Sequence, residues 1–346
     1  MTRWMILAVL IFSLAIPADA AQFTAPAVPE AGEKLMPQQT QSFGEGLLEL
    51  LENAIGTIRP DLREAARASL SVIAAVMIIA LLQTFSGPVK QVADLAGTVS
   101  IAAIMLLSTN SLIRLGADTV TEISEYGKLL MPVMTAAMAA QGGVSTSTAL
   151  YMGTAVFDAV LSGMISGLLV PLVYLFLALA AANSAVGEEL LKKIRDFVKW
   201  LMSWSLKTIL TIFTTYMSIT GVVSGTTDAV ALKAAKVTIS SVVPVVGGIL
   251  SDASESVLVG AGLMKNAAGV YGILAILAVF LEPFLRIGVH YLLLKLTAAL
   301  CGVFGPKQMT ELIGDFSTAM GLLLAMTGAA CLMLLISTVC FMKGVG

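Results

Sequence analysis

Apolar and polar positions alternate along this chain in blocks far longer than a soluble helix needs. Residues 5–16 are apolar, with Arg3 before them and Ala18-Asp19-Ala20 after them. That pattern predicts a signal peptide over residues 1–20, because the run is too short to span a bilayer comfortably. Residues 21–42 are rich in Pro, Gln and Ala and carry no periodic face. From Phe43 a helical period begins: Phe43, Leu47, Leu50, Leu51, Ala54 and Ile58 share one face, with Glu45, Glu49 and Glu52 elsewhere. This predicts an amphipathic helix outside the cytoplasm, lying on the membrane or docking on a partner and interrupted at Pro60. Spans follow at 69–86 and 92–113, joined by a tight Gly87-Pro88-Val89-Lys90 turn.

The middle of the chain is more broken. A polar amphipathic stretch at 114–128 leads to a short apolar run at 129–140 containing Pro132. Twelve apolar residues cannot cross as a helix, so this run reads as half of a re-entrant or broken pair. Gly142-Gly143 marks a turn, and 149–186 is apolar again, interrupted around Ser162-Gly163 and containing Pro171. Residues 187–204 form an amphipathic helix with Leu190, Leu191, Ile194, Phe197, Val198 and Leu201 as its apolar stripe. Its Lys192, Lys193, Arg195 and Lys199 make it the most basic connection, and Trp200 and Trp204 suit a membrane interface. It is expected on the cytoplasmic surface, as an interfacial connector or a docking element.

After a span at 205–225 the order of elements recurs. A polar helix at 228–236 precedes a short apolar run with Pro244, then polar residues at 251–255, then a long apolar stretch with Pro283. Thirty-nine residues separate Pro132 from Pro171, and again Pro244 from Pro283. This predicts an internal repeat over roughly 92–226 and 227–342, a feature that in transporters points to a site between interrupted segments. The run at 267–303 reads as two crossings, and a last span covers 317–342. The expected fold is an all-α, polytopic integral membrane protein of about seven transmembrane helices plus two short re-entrant or broken hairpins. The expected organisation is a signal peptide (1–20), an extracytoplasmic segment with an amphipathic helix (21–68) and a membrane domain (69–346).

Composition agrees with the membrane reading and removes several other functions. Hydrophobic residues make up 58% of the 346 residues and charged residues only 12%, about half the charge of a soluble domain. A net charge of −2 offers no general attraction for nucleic acid, and no basic patch interleaved with aromatics is present. Cys301, Cys331 and Cys340 all lie in apolar C-terminal segments, so no disulfide framework is implied. The single histidine, His290, argues against a histidine-built metal site. No H-E-x-x-H, P-loop or dinucleotide fingerprint occurs, and nothing calls for catalysis or a cofactor.

Two groups of polar residues remain as candidates. Glu282, Arg286 and His290 recur at intervals of four and share a helical face beside Pro283. Charges in lipid are costly, so Glu282 and Arg286 are expected to pair, either lining a path for an ion or substrate or setting the register of two spans. The second group is the broken hairpin at Pro244, Gly247 and Gly248, with Asp252 and Glu255 just beyond it and Pro132 as its counterpart. Asp252 and Glu255 fit the first turn of a helix capped by Ser251, where acids favour the helix dipole. Gly163-x-x-x-Gly167 and Gly221-x-x-x-Gly225 permit close helix packing and nothing more specific. On these features alone an independent secondary transporter with broken-helix repeats is one reading.

The run "ISSVVPVVGGILSDASESVLVGAGLMKNAAGVYG" at 239–272 resembles the signature region of the stage III sporulation protein AE family of endospore-forming Firmicutes. The leader, the polar N-terminal segment, the span count and the length are similar over nearly the whole chain. The resemblance implies a multi-pass subunit of the mother-cell membrane that surrounds the forespore, within a trans-envelope, secretion-like channel called the feeding tube. Its implied partners are the other membrane and ring proteins of the same sporulation operon, a companion cytoplasmic ATPase and, indirectly, a forespore membrane protein. The resemblance carries over no catalytic residues.

Overall fold

A computed structural model describes residues 25–37, 43–85, 90–242 and 247–343, with side chains described at 25–37, 43–83, 95–220 and 267–343. The expected signal peptide, the tight turn at 86–89 and Pro244 lie outside the described residues. Gly247, Gly248, Asp252 and Glu255 fall in a described helix, but their side chains lie outside the described set. Every regular element among the described residues is helical. In chain order they are α1 (Glu30–Glu33), α2 (Phe43–Phe85), α3 (Lys90–Ala140), α4 (Val144–Met164), a π-helical segment (Ile165–Leu169), α5 (Val170–Val186), α6 (Glu189–Val242), α7 (Gly247–Phe304) and α8 (Lys307–Lys343).

Five stretches are long and apolar enough to cross a membrane: Phe43–Gln83, Leu95–Ala140, Val144–Val186, Ala267–Phe304 and Lys307–Lys343. The protein is an all-helical membrane protein. Its segmentation is coarser than the hydropathy pattern predicts, because three prolines do not end helices. Pro60, Pro132 and Pro283 all lie inside continuous helices. Each proline removes one backbone bond; Pro283 is buried where packing holds the helix, while Pro60 and Pro132 lie on exposed faces of helices that continue on either side. The 129–140 run is therefore the end of a 51-residue helix rather than half of a hairpin. Likewise 267–303 is one helix, not two crossings.

The expected interruption near Ser162-Gly163 appears three residues later, as the π-helical turn Ile165–Leu169. Its cause is Pro171, which sits at the start of α5. In a regular helix the Pro171 ring would press on the carbonyl of Gly167, and widening the turn by one residue relieves that clash. Among the described residues the helices from α3 onward break at Gln141–Gly143, at Gly305-Pro306 and at Gly187, which closes α5 in the left-handed conformation at φ 78° that glycine adopts without strain. At the repeat offset of 112, the break at 141–143 corresponds to 253–255, which lies inside α7. The two stretches fold differently at that point.

Contacts fix the directions of the helices. Gly97 of α3 lies by Met309 of α8, Gly127 by Leu334, and Met342 of α8 lies by Gly269 of α7, so α3 and α8 run together and α7 runs against them. α8 is central, packing against α3, α4, α5, α6 and α7. Its Phe316, Met320, Leu323, Met326, Leu334 and Phe341 are all buried. The amphipathic start of α2 docks within the chain, with Leu50 and Ala54 buried against Leu274 and Ala278 of α7. Leu35, just after α1, completes that small cluster. Cys301, Cys331 and Cys340 are free thiols.

Candidate functional site

Two polar seams run through this apolar bundle. The first joins α2 to α7. Arg286 Nη2 lies 3.5 Å from Asp61 Oδ1, and His290 Nδ1 donates to the Arg286 carbonyl at 2.9 Å. The expected four-residue spacing does place Glu282, Arg286 and His290 on one stretch of helix. The expected Glu282–Arg286 pair is not among the ion pairs of the described residues; Asp61 takes that place. The reason is directional, since the arginine reaches across to a neighbouring helix, where Asp61 is the more buried partner. Arg286 Nε has no hydrogen-bond partner among the described residues.

Beside this pair lies a cavity of about 230 Å³ between α2, α3 and α7. His290, Ser69, Ser108 and Thr109 are its polar wall, and Val72, Met105 and Leu112 are among its apolar wall. Ser108 already donates to the Met105 carbonyl at 3.1 Å, which satisfies its hydroxyl. The cavity is an apolar space with a few polar groups, not a charged channel.

The second seam joins α6 to α8. Arg195 Nη1 donates to Asp315 Oδ2 at 2.6 Å, while its Nε and Nη2 donate to Asp196 Oδ1 at 3.1 and 2.9 Å. The Arg195 side chain is 8% exposed and that of Asp315 15%. Burial disfavours the arginine's charge, but Asp315 and Asp196 outweigh it and hold the guanidinium above its ordinary pKa. The sequence places Arg195 on a solvated basic face, and the structure places it inside. The expected apolar stripe is split: Leu190, Ile194 and Phe197 are exposed on the outer face, whereas Val198 is buried and Leu191 and Leu201 are half-buried. Phe197, Trp200 and Trp204 stack in series along that outer face, at centroid separations of 5.8 and 5.9 Å. In a membrane protein the outer face meets lipid, so an apolar stripe belongs there and a lone cation does not.

Further polar links tie helices together. Ser124 donates to Asp158 at 2.6 Å, Thr154 donates to Ser337 at 2.9 Å, and Tyr174 donates to Asn110 at 2.7 Å. Tyr216 donates to the Ala149 carbonyl at 3.0 Å, its ring lying against Gly153, where any Cβ would overlap it. Among the described residues no group of three or more His, Cys, Asp or Glu side chains could hold a metal.

The stage III sporulation protein AE family model matches residues 36–344. The chain belongs to the stage III sporulation protein AE family. A role in sporulation and a place in a membrane follow from that membership and from the apolar helices. The chain is also similar to the stage III sporulation protein AE of Bacillus subtilis (strain 168), at 23% identity over 218 residues. That match covers 62% of this chain and 54% of the relative, so the chain spans about half the length of the curated relative it matches. No solved structure matches.

Sequence reasoning missed Asp61, Arg195, Asp315 and Asp158 as partners in this family member. Asp315 closes a polar loop and Arg195 stands among the lysines of a basic face, where a charge is normally read as solvated. In the sequence Ile194 and Val198 share one stripe, and the burial of Arg195 between them is visible only in the structure.

Proposed function

We propose that the protein is a membrane subunit of the trans-envelope, secretion-like channel linking mother cell and forespore. In this reading it sits in the mother-cell membrane and is needed for forespore development after engulfment. Its partners are the other membrane and ring proteins of the sporulation operon, a companion cytoplasmic ATPase and, indirectly, a forespore membrane protein.

One observation carries the reading. Arg114, Asp118, Thr121, Glu125 and Lys128 are exposed along one face of α3. Apolar runs flank this stripe at 95–113 and 129–140, and Leu129 and Leu107 are exposed in them. α3 is about 76 Å long at 1.5 Å per residue, more than twice the ~30 Å hydrocarbon core. A bilayer covering the stripe would meet bare charges at about 2.5–3.5 kcal/mol each for Arg, Lys or Asp. A bilayer covering either apolar run leaves the other outside it, without lipid. Both placements call for protein beside α3, as a subunit within an assembly has and a solitary transporter lacks.

The test is affinity purification of the tagged chain from sporulating cells, with and without charge-to-alanine changes at Asp118, Glu125 and Lys128. Recovery of the companion operon products with the native chain, and their loss from the variant, is the expected result. Solute uptake by vesicles containing this chain alone, with no companion recovered, would establish the secondary-transporter reading instead.

A further inference from the structure

Where α5 ends, the starts of α6 and α8 meet it around a groove of about 470 Å³. Lys192 and Lys193 enter it from the first turn of α6, and Lys307 and Gln308 from the first turn of α8. α8 has no acidic residue in its first turn. The amide of Thr310 bonds to the Pro306 carbonyl, which leaves the amides of Lys307, Gln308 and Met309 without an acceptor inside the helix. The positive end of a 37-residue helix thus faces the groove.

An independent observation comes from Ser184, in the last turn of α5. The residue is 1% exposed and lines the groove, and its Oγ has no hydrogen-bond partner among the described residues. Buried hydroxyls are almost always satisfied, so this one is left for a group arriving through the groove. The acids at the rim are already engaged. Glu189 lies 3.8 Å from Lys193, Glu311 lies 3.9 Å from Lys307, and Asp196 is held by Arg195. Both lysine–glutamate pairs are highly exposed and weak, so an incoming anion with more oxygens can take over the lysines. Lys192 takes part in none of the ion pairs of the described residues.

The stacked Phe197, Trp200 and Trp204 give the depth of the groove. Aromatic rings of this kind sit at headgroup level, and Trp200 is about 12 Å along α6 from Lys192. A group with several acceptor oxygens just outside that level can meet Lys192, the α8 amides and the Ser184 hydroxyl together. We infer that this groove binds a phosphate group, carried by an anionic phospholipid headgroup or by soluble phosphate.

The test uses the full chain, delipidated in detergent micelles and examined by native mass spectrometry. Phosphatidylglycerol, diacylglycerol with the same acyl chains, and inorganic phosphate are the probes. Phosphatidylglycerol is expected to remain bound where diacylglycerol does not. The Lys192→Gln/Lys307→Gln variant should weaken that retention about a hundredfold, roughly tenfold for each charge-assisted hydrogen bond lost. Ser184→Ala should weaken it by a smaller factor, with an unchanged elution profile, and Lys34→Gln, outside the groove, should leave it alone. Displacement of the lipid by millimolar phosphate makes soluble phosphate a competent occupant, and resistance to displacement assigns the headgroup. Retention that ignores the phosphate group, or that both groove variants leave untouched, overturns the proposal.

Discussion

Arg195 of α6 and Asp315 of α8, 120 positions apart in the chain, meet at 2.6 Å in the interior of the bundle. A buried pair of this kind adds little net stability over an apolar pair, but breaking it strands a charge.

Changing Asp315 to Ala should destabilise the protein by about 3–5 kcal/mol, because Arg195 is then buried with only Asp196 beside it. Arg195→Met combined with Asp315→Leu should recover most of that loss. Reversible unfolding in mixed micelles reads both. Equal losses in the single and double variants would show that the two side chains act separately.

The Asp61–Arg286 pair is longer and half exposed, so Asp61→Asn should cost only about 1 kcal/mol or less. A double-mutant cycle separates the two candidate partners of Arg286. Coupling should be measurable between Asp61 and Arg286 and absent between Glu282 and Arg286. Coupling to Glu282 instead would restore the partner that sequence spacing suggests.

Gly153 of α4 lies against the Tyr216 ring of α6. Gly153→Ala should push the ring away and break its bond to the Ala149 carbonyl, at a cost of roughly 1–3 kcal/mol. Tyr216→Phe, which keeps the ring and removes only the hydroxyl, should cost about 1 kcal/mol. The same unfolding measurement compares them, and a glycine variant as stable as the native chain would contradict the packing.

Helix directions make a prediction about sidedness. In a background with Cys301, Cys331 and Cys340 replaced, single cysteines at Lys192 and Lys307 should react with an impermeant thiol reagent from one side of the membrane. A cysteine at Gln141 should react from the other side, because α4 and α5 together carry the chain from Gly143 to Gly187. Labelling of Gln141 and Lys192 from the same face would contradict a single crossing between them.

Much of this fold can be read from the residues themselves. Apolar block lengths reveal the helices, and Gly142 and Gly187 reveal the true turns, since a left-handed residue after an apolar run is a local signal. Proline misleads, because Pro60, Pro132 and Pro283 all lie inside continuous helices, and only Pro283 is buried. Periodicity finds the amphipathic start of α6 and leaves Lys192, Lys193 and Lys199 exposed, but it misplaces Arg195, which is buried beside Val198. Partners such as Asp61 for Arg286 depend on which helices lie side by side, and spacing within one helix carries no information about that.

The central position of α8 has a consequence for biogenesis. All five of the helices it packs against precede it in the chain, so they must enter the membrane before the element that fills their common interface exists. Until it arrives, Arg195 lacks Asp315, Thr154 lacks Ser337, and the grooves that receive Phe316 and Phe341 stand open. The nascent protein is thus most in need of a chaperone or insertase just before its last helix is released, and truncation ahead of Lys307 should leave a product cleared by quality control.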